Sequence, residues 1–125
     1  MPLLWKAGKR MRERTKRTEM LLGSEAIGRL GASRVAVIGL GGVGSWCAEA
    51  LARSGIGRLV LIDSDAVAES NVNRQLGALY STLDRPKAEV LAERLRDIAP
   101  DAEILPVQAL YSSETVSYTH LTLPT

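Results

Sequence analysis

The sequence predicts an α/β fold, a parallel sheet in β-α-β-α-β order preceded by a short N-terminal helical segment. Three observations predict it. Residues 34–38 (Arg-Val-Ala-Val-Ile) and 58–63 (Arg-Leu-Val-Leu-Ile-Asp) are short β-rich runs with no polar interior position, as expected of parallel strands covered on both faces. Between them a glycine-rich turn opens a stretch of helical periodicity, so 34–63 has the order and length of one β-α-β unit. A second helical stripe and a third β-rich run follow.

Taken in order, Ser24 is a candidate cap for a helix to about residue 30, with Ile27 and Leu30 one turn apart and Gly31 as its stop. After the first strand, Val43, Cys47, Ala50, Leu51 and Ser54 share one helical face, which makes Cys47 a buried small hydrophobe. Glu49 and Arg53 then form an outward i, i+4 pair, and Gly55 ends the helix. Residues 64–83 are mixed, with 70–75 in a loop or short helix. Asp84 is a candidate cap for a helix with Pro86 in its first turn and Ala88, Leu91, Leu95 and Ile98 as its stripe, closed by Pro100. Residues 102–108 form the third strand, although Pro106 removes one ladder donor.

The 125 residues are one domain's worth of chain, and 46% hydrophobic with 24% charged residues is ordinary globular usage, which excludes a disordered or fibrous chain. No apolar run approaches the roughly 20 residues of a membrane-spanning helix. A lone cysteine forms no intrachain disulfide, and the simple reading is a reducing, cytoplasmic address. Residues 1–23 carry seven basic and two acidic side chains, leaving −3 on the rest of a chain whose net charge is +2. That basic segment is either an RNA phosphate contact or a solvated start; no aromatic residues interleave with its cations as a stacking platform requires. Its acids and lack of serine argue against a transit peptide, and translation can begin at Met1 or Met11. Residues 116–125 carry no formal charge and lose the upstream pattern; they read as a non-native cloning tail, which makes the chain a fragment.

The chemistry centres on Gly39-x-Gly41-x-x-Gly44, set between a buried strand and a helix start. Backbone amides and the helix dipole there face an anion, and the absence of Cβ atoms lets it come close. Asp63 ends the next strand, where a carboxylate accepts from ribose hydroxyls. The alternative is that the glycines serve only tight strand-helix packing and Asp63 caps a loop. On these features alone the default ligand is NAD and the default enzyme an oxidoreductase. Arg74 and Lys87 point elsewhere, because a nucleoside triphosphate needs cations that a dinucleotide does not. A lysine in the first turn of a helix is misplaced against the dipole unless an anion is near, or is simply exposed.

Residues 17–23 (Arg-Thr-Glu-Met-Leu-Leu-Gly), 39–45 (Gly-Leu-Gly-Gly-Val-Gly-Ser), 61–65 (Leu-Ile-Asp-Ser-Asp) and 71–75 (Asn-Val-Asn-Arg-Gln), with Pro86-Lys87, resemble the activating-enzyme superfamily of ubiquitin-like and sulfur-carrier systems. The resemblance covers about residues 14–111. Gly-Ser-Trp at 44–46 and residues 48–57 look most like the tRNA threonylcarbamoyladenosine dehydratases. The resemblance implies a Rossmann-like nucleotide-binding domain over 24–115, incomplete, and a reaction in which a carboxylate attacks the α-phosphate of Mg-ATP to give an acyl-adenylate. In the dehydratases that carboxylate sits on a tRNA adenosine. The implied nucleotide contacts are Gly39, Gly41, Gly42 and Gly44 at the phosphates, Asp63 on the ribose, Asn71 and Arg74 beside the phosphates and Lys87 on the triphosphate, with Asp65 and Gln75 also in the set. Arg74 and Lys87 are the implied catalytic cations, joined by Arg17 reaching in trans from the other protomer of a homodimer. No protein metal ligand is implied in this stretch; ATP and Mg2+ are the cofactors. The family's second half is not matched after about residue 111, which leaves an apolar sheet edge, and a non-catalytic nucleotide-binding remnant is the remaining alternative.

Overall fold

A computed structural model describes residues 13–110. Helix α1 covers residues 13–22, α2 is Ser24–Ala32, β1 Arg34–Ile38, α3 Gly44–Ser54, β2 Arg58–Ile62, α4 Lys87–Ile98 and β3 Glu103–Val107. Two short 3-10 turns, Glu69–Asn71 and Tyr80–Thr82, lie between β2 and α4. The sheet is parallel in the order β1-β2-β3, pairing Val35 with Leu59 and Leu59 with Ile104. The predicted β-α-β-α-β order is therefore observed. Residues 1–12 of the basic segment, including Met11, and the 116–125 tail lie outside the described residues.

Central β2 is the most enclosed element, with Leu59, Val60 and Leu61 inaccessible to solvent. Leu59 and Leu61 meet Ala48 and Ala52 of α3, Leu91 and Leu95 of α4, Val37 of β1 and Ile104 of β3 in one apolar core. Two alanines on α3 let its axis lie close to the sheet. Pro106 is accommodated in β3, which pairs on one side with β2.

Two predicted caps are absent. Gly23 precedes α2, at φ 91°, and Ser24 is already the first helical residue; the helix also runs through Gly31 to Ala32. The Gly23 amide donates to the Glu19 carbonyl at 2.7 Å, so this glycine turns α1 into α2 without a side-chain cap. Asp84 does not cap α4 either. It sits at φ 68° in a turn where its amide donates to the Val67 carbonyl, and Pro86 directly precedes the helix.

The face of α3 also differs from expectation. Its buried residues are Ser45, Ala48, Glu49 and Ala52, while Cys47 is exposed. Glu49 faces inward because two cations satisfy its carboxylate: Arg94 of α4 and Arg53, the latter at 3.2 Å. The expected apolar stripe exists, but Val43, Cys47 and Leu51 line an open groove with Val35 and Ile38 beside β1, whose outer edge is unpaired among the described residues. No helix among those residues is long and apolar enough to cross a membrane.

Candidate functional site

The glycine turn is fixed by backbone geometry. Gly39 leaves β1 at φ 86° while its amide continues the ladder to the Ile62 carbonyl. A Cβ on Gly44 would lie 1.7 Å from the Gly39 carbonyl oxygen, so that position admits only glycine. Gly41 and Gly42 are under no such constraint from backbone. A Cβ on Gly41 would make an ordinary 3.7 Å contact with Gln75 Nε2, and one on Gly42 would press on the Arg74 side chain at 3.3 Å. The amides of Gly41 and Gly42 have no acceptor among the described residues. Two free amides beside the start of an 11-residue helix form an anion cradle.

Asp63 follows β2 directly, at the same end of the sheet. Its Oδ2 accepts the Leu40 amide and its Oδ1 the Asp65 amide, both at 2.7 Å. An ionised carboxylate offers about four lone-pair positions, so two remain for hydroxyls. Asp65 is exposed, and its carbonyl accepts the Lys87 amide at 3.0 Å, tying the start of α4 to the end of β2.

Lys87 is not an exposed first-turn lysine. Its side chain is 12% exposed, its Nζ is 3.9 Å from Asp65 Oδ2, and it lines a narrow cleft with Leu40, Ser45 and Gln75. Arg74 comes from the intervening loop. Its aliphatic stem lies over Gly42, and its Nη1 donates to the Ser70 carbonyl and to Asn73 Oδ1. Asn71 is buried and acts on the turn itself: its Oδ1 accepts the Ala68 amide at 2.8 Å, and its carbonyl accepts the amides of Arg74 and Gln75. The two cations therefore flank the glycine turn, Arg74 over Gly42 and Lys87 beside Leu40.

Arg17 is not brought to this turn. Arg14, one helical turn earlier, bonds Asp101 at 2.8 Å and the Ile98 carbonyl, and Thr15 lies against Gly55. These contacts anchor α1 at the C-terminal ends of α3 and α4, opposite the ends that meet the glycine turn.

Two contributors were not singled out from the sequence as site residues. Ser45 donates to the Gly41 carbonyl at 2.6 Å and accepts the Leu76 amide, and Trp46 Nε1 donates to the Arg74 carbonyl at 2.9 Å. The signal available was a polar pair in the first turn after the glycines.

The ThiF family profile matches residues 15–121. The tRNA threonylcarbamoyladenosine dehydratase of Bacillus subtilis is 50% identical over 99 residues, covering 79% of this chain and 39% of that protein. The Escherichia coli protein of the same name is 43% identical over 106 residues, 85% of this chain and 40% of its own. A crystal structure of the E. coli dehydratase in complex with ATP superposes with a TM-score of 0.85 at 42% identity, covering 90% of this chain and 46% of that one. The chain thus spans about two fifths of the length of the curated relatives it matches. With glycine turn, acid and paired cations in one place and most of its length matched, the chain belongs to the ThiF family.

Proposed function

We propose that this domain binds ATP and serves ATP-dependent carboxylate adenylation, in a whole protein that cyclodehydrates threonylcarbamoyladenosine in tRNA. The observation that carries the reading is the pair of cations, Arg74 and Lys87, on either side of two free amides at Gly41 and Gly42. A dinucleotide gives no reason for that second charge.

In this reading a carboxylate oxygen attacks the α-phosphorus, the bond to the β-phosphate bridging oxygen breaks, and pyrophosphate leaves with the electron pair. The chain supplies position and charge, which is where catalysis of phosphoryl chemistry resides. Gly39 and Gly44 shape the turn, and Gly41 and Gly42 donate their amides to phosphate oxygens. Asp63 holds the ribose hydroxyls, with Asp65 beside it. Arg74 and Lys87 offset charge developing toward pyrophosphate, while Asn71 and Gln75 build the loop that carries Arg74. Once the acyl-adenylate has formed, ring closure expels AMP, and the nucleic-acid substrate has lost one water overall. Among the described residues no cluster of carboxylates forms a metal cage, so these residues would meet Mg2+ as an ion carried on the triphosphate's own oxygens.

Two further assignments rest on the family, a homodimer in which Arg17 reaches the partner's site and tRNA as substrate; the basic segment 1–23 toward RNA phosphates rests on its charge, and a cytoplasmic address on the lone cysteine. The anchoring of α1 away from its own glycine turn supports the reach in trans. The experiment is ATP–pyrophosphate exchange in a protein carrying this domain joined to a family second half. Exchange that depends on threonylcarbamoyl-bearing tRNA supports the reading, and hydride transfer from NADH without exchange overturns it.

A further inference from the structure

Arg74 works only if its loop stays on the glycine turn, and the loop has little regular structure to hold it there. Between Asn71 and Gly77 the chain makes short turns, and Arg74 itself is exposed. Leu76 packs against the apolar core, and two hydrogen bonds tie the loop to consecutive residues of α3. The Trp46 indole N–H donates to the carbonyl of Arg74 at 2.9 Å. Two residues further on, the Leu76 amide donates to Ser45 Oγ at 3.2 Å, and that hydroxyl donates onward to the Gly41 carbonyl.

Trp46 is 55% exposed, so burial does not account for a tryptophan at this position. Its polar edge is used instead: the one N–H of the ring is spent on the backbone of the residue whose guanidinium belongs over the phosphates. Ser45, buried, closes the other side of the same pair of peptide units. Because Ser45 bonds the glycine turn and the loop together, a shift of one moves the other.

We infer that Trp46 is a positioning residue for Arg74: its indole N–H, with Ser45 as the second clasp, sets the reach of the Arg74 guanidinium toward the β and γ phosphates of a bound nucleoside triphosphate. This rests on the triphosphate reading above and assigns to a partly exposed aromatic a role in triphosphate selectivity. It also separates Trp46 from Asp63, whose contact is with the ribose and is shared by ATP and AMP.

The test is calorimetric titration of ATP and of AMP into the intact chain, its Trp46→Phe variant, Arg74→Ala and the double variant, with thermal midpoints measured alongside. Trp46→Phe keeps the ring and removes the N–H. A lost hydrogen bond of ordinary strength corresponds to roughly a 3- to 10-fold loss of ATP affinity. The inference expects that loss for ATP, AMP affinity held within about 2-fold, and no further ATP loss when Trp46→Phe is added to Arg74→Ala, since the effect runs through the arginine. Equal losses for ATP and AMP, additive losses in the double variant, or unchanged ATP affinity each overturn it while leaving nucleotide binding standing. A wild-type chain that binds neither nucleotide overturns the triphosphate reading and the inference with it.

Discussion

The carboxylate of Asp63 accepts the backbone amide of Leu40 at 2.7 Å, so the acid that ends β2 also holds the glycine turn that ends β1. A second amide, from Asp65, occupies the other oxygen. Hydrogen bonds to a charged acceptor contribute about 1.5–3 kcal/mol each. Asp63→Ala is therefore expected to lower unfolding free energy by at least about 1.5 kcal/mol in urea denaturation and to weaken ATP and AMP alike. A ribose ligand with no structural duty would lose nucleotide affinity at unchanged stability.

The glycines divide by what a methyl group would meet. Gly44→Ala drives a Cβ into the Gly39 carbonyl and is expected to cost about 3 kcal/mol or more, or to prevent folding. Gly41→Ala meets only Gln75 Nε2 at contact distance, so its thermal midpoint should stay within a few degrees of the parent while its methyl group intrudes on the phosphates and weakens ATP. Gly42→Ala pushes against the Arg74 stem and should erode the preference for ATP over AMP. Thermal melts paired with titrations of each variant check the order.

Glu49 provides a pH signature away from the site. Hydrogen bonding to the Arg94 guanidinium above all, with a further bond from Arg53, holds its carboxyl below the ordinary value of 4.5 despite opposing burial. A depressed folded-state pKa contributes stability that is fully present above the unfolded value and lost as pH falls through the folded one. Glu49→Gln is expected to cost about 1–3 kcal/mol at pH 7, and the gap to the parent should narrow below about pH 4.5. Denaturation midpoints of both proteins between pH 7 and 3 measure this; a gap constant down to pH 3 contradicts the assignment.

The strands and the glycine turn were legible because each depends on local pattern, whereas the sequence left Lys87 open between an anion contact and an exposed lysine, and its burial beside Leu40 depends on how α4 meets that turn. An all-apolar run bounded by turns reads as a buried parallel strand, and glycines between strand and helix have a backbone reason to be there. The phase of α3 was not legible. The helix has two faces that can pass for apolar, one through Val43, Cys47 and Leu51 and one through Ser45, Ala48 and Ala52, and the sheet takes the second because small residues approach it more closely. Burying that face brings Glu49 inward, which is tolerable only because Arg94, 45 residues away, supplies the partner. The caps failed for a related reason: Ser24 and Asp84 have the right chemistry, but Gly23 and Pro86 already fix the chain direction where those helices begin. Trp46 could be read as a family marker, yet its bond to Arg74 depends on how a loop folds back over α3.

Whether Arg74 and Lys87 serve a triphosphate held at the glycine turn is read by calorimetric titration of ATP, AMP and NAD into this chain and into its Arg74→Ala and Lys87→Ala variants. We expect ATP to bind at least about 10-fold more tightly than AMP or NAD, and each variant to lose most of that advantage, as removal of a charge-assisted phosphate contact requires. NAD binding more tightly than ATP, or an ATP preference unchanged in both variants, would mean that these cations do not serve a triphosphate.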